Sequence, residues 1–95
     1  MTYRRQIFEF DPAKAASNLK KHKVSFAEAI TVFDDPLAST LPDDQHSLDE
    51  DRFITVGMSA KHRILFVVYT ETKSGIRLIG ARHATATEME QYEEN

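Results

Sequence analysis

A dense basic segment, KKHK, occupies residues 20–23 and carries side chains suited to chemistry on an anion. Cations this close together repel one another unless an anion binds beside them. Histidine is the side chain whose ordinary pKa lets it accept or donate a proton near neutral pH. Lys21 and His22 could therefore be a phosphate-binding cation and a proton-transfer group. The alternative is that they end a helix, where the helix dipole favours cations.

Three arginines lie on segments that the sequence predicts to be strands: Arg52, Arg77 and Arg82. The planar guanidinium group binds phosphate oxygens through two parallel hydrogen bonds. The alternative is that these arginines form ion pairs with the acids of residues 34–51. Because side chains alternate along a strand, Arg77 and Arg82 should face opposite sides unless a bulge intervenes. At most one of them should then line a given site.

A metal site has no support from residue spacing. The four histidines lie on four different predicted elements, and none follows an H-x-x-x-H pattern: His22, His46, His62 and His83. Ser47 beside His46 suggests a hydrolase, but adjacent loop residues rarely place a base against a nucleophile, and no G-x-S-x-G motif is present. We expect neither a metal nor another cofactor.

The net charge of −3 would by itself argue against a nucleic-acid partner, but the charges are unevenly distributed. Residues 34–51 contain seven acids and residues 84–95 contain four, and neither stretch has a lysine or arginine. Residues 1–33 and 52–83 each contain six lysines or arginines. Local potential steers a polyanion, so the basic stretches could form a phosphate-binding face. The acidic stretches could be the remaining surface or an edge that meets a partner.

Length and composition indicate a single folded domain over residues 1–95. With 41% hydrophobic residues, the chain is too apolar for disorder, and its longest apolar run, ILFVVY, is too short to span a membrane. The N-terminus lacks the apolar stretch of a secretory signal. The absence of cysteine excludes disulfides, thiolate zinc sites and a cysteine nucleophile, and it fits a reducing compartment. We expect a cytoplasmic protein that makes no membrane contact.

Two helices are predicted to position the basic segment. Asp11-Pro12 is a strong helix start, and the first helix should end at Lys21 or His22. On this helix Lys14 and Lys21 lie in one polar stripe, beside the face that contains His22. A second helix should begin at Ser25, because SFAE fits a capping box ahead of an apolar stripe, and should end at the DDP of residues 34–36.

The remaining segments predict strands. The expected strands cover residues 3–11, 52–58, 63–71 and 75–83. Residues 35–50 are expected to form a long exposed loop. Residues 84–95 should end in a short helix capped by Thr85 or Thr87. The third of these strands is almost wholly apolar and should be central, with both faces covered. The order β-α-α-β-β-β-α describes an α+β domain with a mostly antiparallel sheet on which the two N-terminal helices pack.

Three segments together resemble one known family, the BrnT toxins of type II toxin–antitoxin systems. They read FEFDPAKAASNLKKHKVSFAEAITVFDDP, DQHSLDEDRFITVGMS and RLIGARHATATEMEQYEE, and the resemblance spans residues 8–94. It implies a RelE-like fold and a small ribonuclease that slows growth. It also implies a ribbon-helix-helix antitoxin that neutralises the toxin and binds the promoter of their operon, so the toxin would meet DNA only through the antitoxin.

The chemistry implied by the resemblance needs no metal. The RNA 2′-hydroxyl attacks the adjacent phosphorus while a base removes its proton, cations hold the added negative charge, and an acid protonates the leaving 5′-oxygen. Lys21 and His22 match the family's K-H pair, Glu50 and Arg52 its E-x-R, and Arg82 its A-R. The resemblance thus makes Lys21, Arg52 and Arg82 phosphate-binding cations. It leaves His22 or Glu50 as the proton-transfer groups. Further RNA contacts are expected from Lys14, Arg77 and His83.

The chain departs from the family pattern at four positions. Lys23 replaces a glycine, Thr72 replaces an arginine, Gly80 replaces a serine and His83 replaces a lysine. Loss of a cation that faces the scissile phosphate would slow cleavage by roughly 10²- to 10³-fold, and His83 could partly compensate. The alternative function is therefore a weakened or inactive toxin-like module that acts with the antitoxin in autoregulation.

Overall fold

Five strands form one sheet, in the order β1-β5-β4-β3-β2, in a computed structural model that describes residues 7–46 and 50–94. The strands are β1 (Phe8–Glu9), β2 (Ser39–Pro42), β3 (Arg52–Met58), β4 (Ile64–Glu71) and β5 (Ile76–His83). β1 pairs with β5 in parallel, and every other pairing is antiparallel. The helices are α1 (Pro12–His22), α2 (Phe26–Thr31) and α3 (Ala86–Glu94). The predicted α+β fold with a mostly antiparallel sheet is confirmed.

Local capping explains where the helices start. The Asp11 carboxylate accepts a hydrogen bond from the Ala13 N–H at 2.9 Å, and Ser25 Oγ accepts from the Glu28 N–H at 3.0 Å. α1 ends at His22, as predicted, and α2 continues as a single 3-10 turn over residues 32–34. The third helix is capped by Thr85, whose side chain accepts from the Glu88 N–H at 3.2 Å. None of the helices in the described ranges is long and apolar enough to cross a membrane.

The hydrophobic core lies between the sheet and the segment of the second helix. Its members alternate along the strands, as a sheet with one face on a core requires: Val24, Phe26, Ala29 and Val32 pack against Leu65, Val67, Tyr69, Ile76, Leu78 and Ala81. β4 is central, as predicted. Its opposite face is covered in part, since Thr70 is buried whereas Phe66 and Val68 are half-buried.

The predicted long loop over residues 35–50 is also wrong in part, because residues 39–42 form strand β2. This strand pairs with β3 at the edge of the sheet, and Thr40 Oγ1 lies 2.8 Å from Thr55 Oγ1 across the pair. An edge strand tolerates Pro42 because one side of it makes no ladder hydrogen bonds. Three of its four residues are exposed, which removes the alternation by which a half-buried strand is recognised.

The first strand is shorter than predicted. It comprises two residues, because Asp11 caps α1 and so cannot continue the strand, while residues 3–6 lie outside the described residues. The Ile76 N–H donates to the Ile7 carbonyl at 2.8 Å where β1 meets β5. Gly75 permits this approach: a Cβ there would lie 2.1 Å from the Ile7 carbonyl oxygen.

Candidate active site

Three arginines share the sheet face that points away from the core, which we call the arginine face: Arg52, Arg77 and Arg82. Thr70 on β4 pairs with Arg52 on one side and with Arg77 on the other. Further along β4, Phe66 pairs with Arg82. Arg77 and Arg82 face the same side, because the one exception to the predicted alternation applies: a β-bulge lies between them.

The bulge is at Ile79. Val68 pairs with Gly80 but the next residue, Tyr69, pairs with Leu78, which leaves Ile79 as an extra residue in β5. An added residue reverses the alternation beyond it, so Arg82 returns to the side of Arg77. Sequence parity alone could not reveal this, although Gly80, the glycine next to Ile79 inside the strand, is a signal typical of a bulge.

Glu50 lies between two of the arginines. Its Oε2 is 2.6 Å from Arg77 Nη2, and its Oε1 is 3.9 Å from Arg52 Nε. The buried Thr70 hydroxyl donates to the Asp51 carbonyl at 2.6 Å and thereby fixes the backbone between Glu50 and Arg52. The structure therefore brings the predicted E-x-R pair together with Arg77. The ion-pair alternative applies to Arg77, whose side chain is also 46% exposed.

Arg82 is held by a carboxylate from α3. Its two terminal nitrogens donate to the two Glu88 oxygens at 2.9 and 3.0 Å, and its guanidinium carbon lies 3.8 Å from the centre of the Phe66 ring. Arg82 holds the pKa of Glu88 below its usual value, with partial burial opposing and Thr85 adding to the effect. This bidentate geometry is the one that guanidinium also uses for phosphate. Glu88 was missed in the sequence, although TATE at residues 85–88 is a capping box that predicts its orientation.

The two parts of the arginine face are separated along β4. Thr70, beside Arg52 and Arg77, is four residues from Phe66, beside Arg82, which corresponds to roughly 13 Å along a strand. A dinucleotide spans a comparable length when each extended nucleotide covers several ångströms, so one RNA strand could contact both parts.

A second cationic group lies along the edge of β5. Lys14, Lys21 and His22 line an open cleft of about 280 Å³ together with Ile79. Lys21 is exposed and His22 is half-buried. The structure thus brings three predicted residues together, but on the helix that flanks β5 and not on the arginine face itself.

Asn18 attaches that helix to the sheet edge. Its side-chain amide donates to the Ala81 carbonyl at 2.9 Å and accepts from the Ala81 N–H at 3.1 Å, as a neighbouring strand would. It also donates to the Val24 carbonyl at 2.9 Å. Asn18 is buried although the sequence places it in a polar stripe. A side-chain amide has both a donor and an acceptor, so it can form the hydrogen bonds that the backbone groups of a strand edge require. This contact sets the position of the cleft next to Arg82.

His83 lies on the opposite side of the sheet from Arg82. It pairs with Leu65, a core residue, and its Nε2 is 3.3 Å from Arg63 Nη1. His83 therefore does not extend the arginine face, and it cannot replace a cation there. The basic neighbours of His83 are instead those of the turn between β3 and β4.

Arg63 has a structural partner that the sequence did not predict. It forms an ion pair with the buried Glu28, which also accepts from Ser59 Oγ at 2.7 Å. The hydrogen bond from Arg63 lowers the pKa of Glu28 against the opposing effect of burial. Arg63 also donates to the Lys23 carbonyl at 3.3 Å. The pair ties α2 to the β3–β4 turn.

Lys23 ends α1 in the left-handed conformation, with φ at 60°, and its N–H donates to the Leu19 carbonyl. This is the helix-ending geometry that favours glycine. Lys23, where the resemblance leads one to expect a glycine, thus adopts the conformation that glycine favours.

The remaining candidates carry less information. Ser47 lies outside the described residues, and so does the side chain of His46. Within the described part of the chain, no three His, Asp or Glu side chains come close enough to hold a metal ion.

Comparison with known proteins gives one family and one fold. The family described as the ribonuclease toxin BrnT of type II toxin–antitoxin systems matches residues 10–88. The crystal structure of the Brucella abortus ribonuclease toxin BrnT superimposes with a TM-score of 0.64 at 22% identity, covering 82% of this chain and 95% of that one. No curated protein matches the chain. Since the family match spans most of the sequence, including α1, all of β2 to β5 and the start of α3, the chain belongs to the BrnT family of ribonuclease toxins.

Proposed function

We propose that this chain is an active endoribonuclease toxin that cleaves RNA by attack of the 2′-hydroxyl, without a metal. The carrying observation is the arginine face, where Arg52, Arg77 and Arg82 share one side of the sheet with Glu50. Cations arranged along one face match a polyanionic strand, and they supply the charge that a pentacovalent phosphorane requires.

Each group then has a role. Glu50 is the base that takes the 2′-hydroxyl proton, since it is the carboxylate on the arginine face that contacts Arg77 and Arg52. Arg52, beside Glu50, binds the scissile phosphate, and Arg82, roughly 13 Å further along β4, binds another phosphate of the same RNA strand. His22, with Lys21 in the cleft beside β5, is the acid that protonates the leaving 5′-oxygen. The 2′-oxygen–phosphorus bond forms as the 5′-oxygen–phosphorus bond breaks, which leaves a 2′,3′-cyclic phosphate and a 5′-hydroxyl.

RNA must first displace Glu88. Both terminal nitrogens of Arg82 donate to this carboxylate, so a phosphate can form the same bidentate contact only after Glu88 leaves. The Glu88 carboxylate therefore occupies, in the free protein, the position beside Arg82 that a phosphate occupies in the RNA complex.

The cellular partner that we propose is a ribbon-helix-helix antitoxin, with which the toxin co-represses their operon in the cytoplasm. Membership of a toxin–antitoxin family supports a protein partner. DNA contact would come through the antitoxin. The toxin's own acidic stretches at residues 34–51 and 84–95 disfavour direct contact with DNA in addition to the RNA substrate.

A second candidate function is a binding module without nuclease activity. The observation that favours it is that Arg77 and Arg82 are both paired with carboxylates of this chain. In addition, Thr72, at the position of the family's arginine, only closes the β4–β5 turn through a 3.1 Å contact with the Gly75 N–H.

Incubation of the purified chain with RNA oligonucleotides in EDTA distinguishes the two functions. The proposed nuclease yields 2′,3′-cyclic phosphate and 5′-hydroxyl ends, and the addition of the antitoxin stops the reaction. An absence of cleavage, on free RNA and on ribosomes alike, would leave the binding module. Cleavage that EDTA abolishes would contradict the metal-free mechanism.

A further inference from the structure

An open apolar groove of about 240 Å³ lies between β2 and α3. Its sheet side is formed by Ser39, Leu41, Ile54 and Val56, and its helix side by Glu88, Gln91 and Tyr92. The register of the sheet puts Leu41 beside Ile54, and Ser39 beside Val56, on one face. We call this feature the β2–α3 groove.

The walls of the groove are held apart by polar contacts at both ends of α3. The Tyr92 hydroxyl donates to Asp35 Oδ2 at 2.6 Å, and Asp35 Oδ2 also accepts from the Met58 N–H at 2.7 Å. At the first turn of the helix, Glu88 is fixed by Arg82. The groove is thus preformed, which lowers the entropy lost when a partner enters it.

Leu41 leaves an apolar side chain uncovered at the edge of the sheet. It is 65% exposed, although it lines the groove. Since β2 is the outermost strand, its outer edge carries no further strand within residues 7–46 and 50–94. Native proteins generally cover or block such an edge, because its free backbone groups pair readily with another chain.

Charge selects the kind of partner. Three stretches build the groove. Residues 34–51 and 84–95 contain eleven acids in total and no lysine or arginine, whereas β3, which supplies Ile54 and Val56, carries Arg52 on the same face. Asp44, Glu90, Glu93 and Glu94 are exposed. Exposed acids on the flanking stretches attract cations, so the apolar groove is complementary to a cationic segment that carries apolar side chains.

We propose that the β2–α3 groove binds a cationic segment of the antitoxin whose apolar side chains pack on Leu41, Ile54 and Val56. The inference rests on the proposed toxin–antitoxin function and assigns its protein partner to this surface.

Two exposed leucines provide a matched test. Leu41 lines the groove, whereas Leu37, which is 60% exposed, does not. The purified antitoxin encoded beside the toxin gene is titrated against wild type, Leu41→Lys and Leu37→Lys by calorimetry. We expect Leu41→Lys to weaken binding by about tenfold or more, and Leu37→Lys by less than about twofold. Binding of the wild type should also weaken as salt rises.

Overlapping synthetic peptides that span the antitoxin then identify the segment. The competing peptide should have a net positive charge and should lose its effect on Leu41→Lys. Equal binding of both leucine variants, or competition only by an acidic peptide, would overturn the groove assignment while leaving the toxin–antitoxin pair intact. A wild-type chain that binds no antitoxin would instead refute the proposed function. Dimerisation of the toxin alone that Leu41→Lys abolishes would mean that a second copy occupies the groove.

Discussion

At the scale of single residues, the arginine face is occupied by the chain's own carboxylates. Glu88 binds Arg82 through two hydrogen bonds, and Glu50 binds Arg77 through one. These contacts resemble the contacts that a phosphate would make, because carboxylate and phosphate oxygens both match the guanidinium fork. In the proposed mechanism Glu50 acts on the substrate, while Glu88 competes with it.

This competition predicts a gain of function. Glu88→Gln removes the charge that holds Arg82 but keeps the shape of the side chain, so RNA should bind more tightly, by about threefold to tenfold at low salt. Fluorescence anisotropy with a non-cleavable 2′-deoxy oligonucleotide measures the change. Glu90→Gln on the exposed side of α3 is the control for the loss of one negative charge. Equal gains in both variants would show that general charge, and not the contact with Arg82, is responsible.

At the scale of elements, the site depends on how α1 and α3 are attached to the sheet. Asn18 fixes α1 to the edge of β5. Glu88 and Tyr92 fix α3 to the arginine face and to Asp35, respectively. The end of α1 depends on Lys23, whose left-handed conformation is unfavourable for a residue with a Cβ by roughly 1–2 kcal/mol.

Lys23→Gly should therefore stabilise the protein. Relief of the backbone strain exceeds the additional entropy of glycine in the unfolded chain, so the free energy of unfolding should rise by about 0.5–1 kcal/mol. Lys20→Gly, in the last turn of the same helix but at a position with helical backbone, should lower it by up to about 1 kcal/mol. Urea denaturation of the two variants measures both changes. A loss of stability in Lys23→Gly would mean that Lys23 makes a favourable contact that outweighs the strain.

Elements were predicted from sequence where local chemistry determines them. Asp11 and Ser25 start the helices by capping, and the apolar alternation of β3 to β5 predicts their place in the sheet. The strand at residues 39–42 could not be predicted, because pairing with a neighbouring strand determines it. The bulge at Ile79 has one local signal, Gly80 inside the strand, which alone does not fix the register. The same limit applies to the site: the sequence indicates Arg52, Arg77 and Arg82, but only the register of three strands puts them on one face.

At the scale of the whole molecule, ion pairs connect parts of the chain that lie far apart in sequence. Arg63 lowers the pKa of the buried Glu28, and Arg82 lowers that of Glu88. A carboxyl group whose pKa is lower in the folded state adds stability above its unfolded pKa, and that stability is lost as pH falls through the folded value.

The melting temperature should accordingly decrease below about pH 4.5, the ordinary pKa of both glutamates. Glu28→Gln should flatten this acid limb, although at a lower melting temperature, because Arg63 loses its partner. Thermal denaturation followed by circular dichroism tests this. An acid limb of unchanged slope in Glu28→Gln would show that other groups govern acid unfolding.

The alkaline limb has a different cause. The hydrogen bond to Asp35 raises the pKa of Tyr92 from 10.0 to about 12. A raised folded pKa adds stability below the unfolded value, and this stability is lost as pH rises from 10.0 towards 12. Tyr92→Phe should lose most of that alkaline decline, whereas Tyr69→Phe should keep it. An identical decline in all three proteins would contradict the coupling between Tyr92 and Asp35.

The central claim is that the arginine face cleaves RNA, and the cleavage rate of Arg82→Ala tests it most directly. Single-turnover cleavage of an RNA oligonucleotide in EDTA, with the enzyme below saturation, should be slower than in wild type by roughly tenfold to 10²-fold, because the RNA loses its bidentate phosphate contact. Lys20→Ala, which removes an exposed cation of α1 outside the cleft, should cleave at the wild-type rate. Circular dichroism verifies that both variants are folded. Wild-type cleavage by a folded Arg82→Ala would contradict the account.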